Sequence, residues 1–201
     1  MTTTTAPSSL SHRGRTTWPA LVARLRDVQT EVQRLAPFRD IGLVPNPGAS
    51  EAAIEAAEKR LGFALPPSYR EFLRHHDGWP RFFDGATLLG TDALGARRYD
   101  DLCRAAFEAA ETPVPDIGPP LRRRLPRMIP FAADAEATTL FAFDPNSRSE
   151  SGECEVIAWI NEVGVRSTSF AEFLELLIEL GESELEAHTE RLSPTSLAQS
   201  A

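Results

Sequence analysis

Between Leu61 and Pro67 the chain must end one helix and begin another within a few residues, and this limits the fold more than any other stretch. Ile54, Ala57 and Leu61 recur at helical spacing and form one apolar stripe. Ser50 is placed to cap the start of that helix, and Glu51 and Glu55 suit the positive end of its dipole. Gly62 fits the left-handed position just past the end, with Phe63 folding back on the last turn. Pro66 and Pro67 then open a second helix, in which Tyr69, Phe72, Leu73 and His76 share a face until Gly78 stops it. So short a connection predicts a compact helix pair.

The pair is flanked by more helix on one side and by strands on the other. A first helix is predicted from Thr17, with Pro19 in its first turn and Leu21, Leu25, Val28, Val32 and Leu35 on its apolar face. After Trp79, the stretch RFFDGATLLG reads as a turn and a short strand over 87–89. Tyr99 to Ala110 reads as a helix, followed by a Pro-rich surface connection. Strands are predicted over 128–132, 138–143, 154–160 and 163–168, with Asn161 and Glu162 as a tight hairpin turn. Ser169 and Glu172 form a capping box ahead of a helix whose face is Phe170, Phe173, Leu174, Leu177 and Ile178. Gly181 is expected to end it, and Ser183 and Glu186 suggest one more short helix. The fold class is α+β: an antiparallel meander packed against the N-terminal helix pair and a C-terminal helix. The expected divisions are a disordered tail over 1–16, a helical extension over 17–40, one domain over 41–192 with an insertion near 97–127, and a loose tail over 193–201.

Charge narrows the partners. The net charge is −8, which opposes nucleic acid and anionic membranes and favours basic partners. Between Phe131 and Glu190 only Arg148 and Arg166 offset a long series of acids, so the excess lies in the C-terminal half. Arg122, Arg123 and Arg124 read as a solvated loop face. Cys103 and Cys154 make no disulfide framework and read as reduced thiols. The N-terminus has no apolar core of a secretory signal, and no apolar run approaches the roughly twenty residues that span a bilayer. A cytoplasmic location is expected.

A search for chemistry finds no nucleophile elbow, P-loop or dinucleotide fingerprint. His75 and His76 are adjacent and cannot face one site, and no His pair has metal-binding helical spacing. Asp144, Asn146 and Glu153 resemble a calcium loop only loosely, because Arg148 stands where an oxygen ligand belongs. No catalytic, metal-binding or cofactor-binding residue is assigned.

The stretch GASEAAIEAAEKRLGFALPPSYREFLRHHDGWP carries a specific pattern: an acidic helix ending Leu-Gly-Phe, then Leu-Pro-Pro, an aromatic, Phe-Leu and Asp-Gly. With Ile129-Pro130-Phe131-Ala132 and Asp134, Phe141-Ala142-Phe143-Asp144, and Ser169-Phe170 before Phe173-Leu174, it resembles the Smi/Knr-type branch of the SUKH superfamily over residues 48 to 180. Ala135 and Glu136 depart from the usual glycine after the acid, and the 97–127 segment is longer than usual. Proteins similar to this are mostly bacterial immunity proteins that bind and neutralise a cognate toxin from polymorphic or contact-dependent systems, and fungal relatives are regulatory scaffolds. The resemblance implies binding without catalysis.

The first expectation is therefore an immunity protein, a monomer whose partner is a toxin with a basic surface, with nucleic acid and membrane excluded. Its contacts are assigned to Asp134, Glu136, Asp144, Glu150 and Glu153, with Asp77, Trp79 and Asp84 at the rim. The alternative is a regulatory or scaffolding module of the same fold without a toxin partner. An enzyme is a third reading, resting only on the density of carboxylates.

Overall fold

The computed structural model describes residues 17–97, 99–101, 103–104, 128–135, 139–160 and 163–191. Helix α1 (Trp18–Leu35) begins after Thr17 with Pro19 in its first turn. Helices α2 (Glu51–Leu61) and α3 (Pro67–His75) are the expected pair. The Ser50 side chain accepts from the Ala53 N–H, and Gly62 closes α2 at φ 63°. Arg70 of α3 lies between Glu51 and Glu58 of α2 and bonds both, lashing the two helices together.

Six strands follow as a fully antiparallel meander in chain order: β1 (Trp79–Phe83), β2 (Ala86–Leu88), β3 (Ile129–Ala133), β4 (Thr139–Phe143), β5 (Val156–Ile160) and β6 (Val163–Ser167). Strand β1 was not predicted. Pro80 and the positive φ of Arg81 disguise it, and both are tolerable because β1 is an edge strand with an irregular register. Asp84 and Gly85 make its turn to β2, both at positive φ, the geometry a two-residue hairpin needs.

Helix α4 runs unbroken over Phe170–Arg191. Gly181 does not end it, and no separate helix starts at Ser183. The glycine instead lies under α1, where a Cβ would stand 2.4 Å from Val28 Cγ1. One arm of the expected capping box is present, since Ser169 Oγ accepts from the Glu172 N–H at 3.2 Å, but the Glu172 carboxylate reaches one residue further back, to the Thr168 N–H at 2.5 Å.

The helices cover one face of the sheet over an aromatic core. Phe131, which sits where β3 shifts register, stacks on Phe143 at 4.3 Å and meets Phe170 at 5.6 Å. Phe141 meets Phe173 of α4 at 4.9 Å, and Tyr69 of α3 meets Phe170 at 4.9 Å. Each such buried ring contributes roughly 1.5–3 kcal/mol. Leu21, Leu25, Val28 and Val32 of α1 belong to the same core, so the helix packs on the domain rather than standing away from it. Arg24 clamps α1 to Glu182 of α4 at 2.7 Å.

Glu136, the Asn161–Glu162 turn, most of the 97–127 segment and both tails lie outside the described residues. So does most of the helix expected over 99–110.

Candidate functional site

The acids expected to meet a partner are mostly engaged within the protein. Asp77 follows α3, where its carboxylate accepts from the Thr91 N–H at 2.5 Å and the Thr91 hydroxyl at 2.8 Å. Thr91 is buried, so these bonds meet a need that solvent cannot. Asp144 is also buried and caps the turn at Pro145–Ser147, accepting from the Asn146 N–H at 2.9 Å. Glu153 grips the first turn of α3: one oxygen accepts from the Ser68 N–H at 2.8 Å, the other from the Ser68 hydroxyl at 2.7 Å. Pro66, at the N-cap position of α3, has no side chain to cap with, and Glu153 supplies the missing acceptor from far along the chain.

Trp79 is not an exposed anchor. It is 1% accessible, and its indole N–H donates to the Gly42 carbonyl at 2.6 Å. Asp84 is a half-buried turn residue 3.7 Å from Arg39. Asp134 is half-buried at the end of β3, with its backbone N–H on the Thr139 carbonyl. Glu150 alone among the described members of the set is exposed and makes no ion pair to a described residue. The eight residues therefore do not form one free acidic patch.

The loop between β4 and β5 is pinned to the helix pair. Arg148 donates to the Gly152 carbonyl at 2.7 Å, bonds the Ala64 carbonyl and lies 5.0 Å over the Phe63 ring. This accounts for an arginine where a calcium loop would need an oxygen. Among the described residues, no group of three or more His, Cys, Asp or Glu could hold a metal ion, and no helix is long and apolar enough to cross a membrane.

Exposed acid also runs along α4. Glu175, Glu179 and Glu186 recur at helical spacing on its solvent side and make no ion pair with described residues. Spacing alone cannot separate a solvated face from a contact face.

A cleft of about 370 Å³ opens between α1, α4 and the β1–β2 hairpin. Leu25, Val28, Val32, Phe82, Leu177 and Leu180 supply apolar wall, and Arg39, Asp84 and Glu184 its polar members. Arg39 joins Glu184 at 2.9 Å and Asp84 at 3.7 Å, spanning from helix to hairpin. No local pattern could reveal it, because its walls come from segments far apart in the chain.

A model of the SMI1 / KNR4 family (SUKH-1) matches residues 48–176, more than half of the chain. The chain belongs to this family. A search of curated proteins found no match. The SUKH-1 match takes in α2, α3, the whole sheet and the first turns of α4, but not α1. The motif residues that carried the resemblance have structural duties here. Gly62 closes a helix, Tyr69 and Phe72 fill the core, and Asp77 pins the Thr91 turn.

Proposed function

We propose that this SUKH-1 protein is an immunity protein that binds and neutralises a cognate protein toxin in the cytoplasm of the cell that makes it. The observation that carries the reading is the family match over residues 48–176. The net charge of −8 supports it, since an acidic inhibitor is steered toward the basic face of a toxin that attacks nucleic acid.

The contacts are assigned to Glu150 and to the α4 stripe of Glu175, Glu179 and Glu186, which are exposed and unpaired among the described residues. Asp77, Asp144 and Glu153 hold the fold and leave the contact set. Inhibition on this reading is by covering the toxin, with no turnover.

The test is co-expression with a toxin encoded beside this gene. Rescue of growth and a joint peak on size exclusion are expected, with association slowing as salt rises. Reversing Glu175 and Glu179 together to Lys should slow association about tenfold or more. Continued killing with no complex would sink the reading and leave a regulatory module of the same fold.

A further inference from the structure

We infer that the cleft between α1, α4 and the β1–β2 hairpin is a binding site for a small, uncharged, largely apolar molecule carrying one hydrogen-bond donor. This goes beyond the partner-binding reading and does not depend on it. Phe82, Phe83 and Asp84 come from the family-matched segment, but the α1 and α4 walls come from residues 25–32 and 177–184, outside it.

Three observations converge. The volume, about 370 Å³, falls within the usual range of small-molecule sites, roughly 300–1,000 Å³. The walls are aliphatic and aromatic, and Leu180 remains 47% exposed. One polar group in the wall is unfinished. Gln29, 6% exposed, donates through Nε2 to the Phe82 carbonyl, and its Oε1 is buried without a hydrogen-bond partner. The bond to a carbonyl fixes which end of the amide is the donor, because an amide oxygen cannot donate. An acceptor left in this state is costly and uncommon in a native core.

The ligand class follows. An apolar body displaces water from the walls, and a single N–H or O–H satisfies Gln29 Oε1. A charged ligand is disfavoured. Its charge would leave water for an apolar cavity, and an anion would in addition meet a polar side where the cation Arg39 is already paired to two carboxylates, Glu184 and Asp84. Because Oε1 is shielded from solvent, the ligand must part the side chains over it. That displacement limits affinity, and a dissociation constant on the order of 10–100 µM is expected for a bicyclic probe.

The probes are indole, which has one N–H, and benzothiophene, its near-isostere without a donor. Each is titrated into the full chain while methyl resonances of Val32, Leu177 and Leu180 are followed by NMR. Both should shift these methyls, with indole binding about tenfold tighter. Gln29→Met should remove that preference while both probes still bind. Should Gln29→Met fail to fold, Val32→Phe fills the cleft with Gln29 intact and should abolish binding of both. Failure of either probe to bind at millimolar concentration would overturn the site. Equal affinities in the unaltered protein would overturn the role of Gln29 and with it the assigned ligand class. Neither result touches the toxin assay, which reads the acidic surface.

Discussion

A Cβ on Gly181 would lie 2.4 Å from Val28 Cγ1, so the Val28 side chain of α1 fills the space that a side chain at 181 of α4 would need. Gly181→Ala sets two effects against each other. The helix interior gains about 1 kcal/mol of propensity, while overpacking against a stiff β-branched residue costs about 1–3 kcal/mol. A net loss of about 1 kcal/mol is expected by urea denaturation. In a Val28→Ala background the obstacle is gone and the sign should reverse, with Gly181→Ala stabilising. A loss of equal size in both backgrounds would show that the contact is not the cause.

Glu153 holds the N-terminus of α3 from a loop beyond β4. Glu153→Ala leaves the Ser68 N–H without its acceptor and should cost about 1–2 kcal/mol. Its effect on toxin affinity should be slight at temperatures where the variant stays folded. A large loss of affinity with unchanged melting temperature would return Glu153 to the contact set. Calorimetric melting and surface-binding measurements on one preparation decide between them.

These two cases show what the sequence could and could not tell. Local punctuation was legible. Ser50, Gly62 and the Ser169 cap act through neighbours in the chain, and they do what their spacing predicts. Gly181 was misread because a glycine that breaks a helix and one that admits a neighbouring helix look alike until α1 is in place. Strand β1 was missed because Pro80 violates a strand preference that an edge position relaxes, and the positive φ of Arg81 is not encoded by its residue type. The surroundings of the acids were illegible for a related reason. Whether a carboxylate faces solvent or caps a distant helix depends on long-range contacts such as Glu153 to Ser68, which no spacing encodes.

Acid should weaken the fold first through His76. Burial holds its imidazole below the ordinary value of 6.5, and His75 and Arg26 add to the effect against the opposing pull of the Asn46 carbonyl. The unfolded chain therefore takes up this proton at higher pH than the folded one. Stability should be complete above the unfolded value and should decline as pH falls through about 6.5 toward the folded value. Glu71, held below 4.5 chiefly by its bond to Arg74, contributes only at lower pH, so the two windows separate. The urea midpoint should drop between about pH 7 and about pH 5.5, and His76→Gln should flatten that slope. An unchanged slope in the variant would assign the loss elsewhere.

Cys154 reports on the opening of the core. It is wholly buried, and burial pushes its thiol above the usual value of 9.0, so both access and thiolate supply are low in the native state. Cys103 is only half-buried, though burial raises its thiol as well. Alkylation under native conditions should therefore modify Cys103 first. In a Cys103→Ala variant only the slow phase should remain, and its rate should follow the population of opened molecules as urea is added. Gly181→Ala should accelerate that phase by about the factor that its stability loss implies, if the α1–α4 contact and the core around Cys154 open together. Labelling of Cys154 that is fast and independent of urea would show that the β4–β5 loop opens by itself, despite the grip of Glu153 on Ser68.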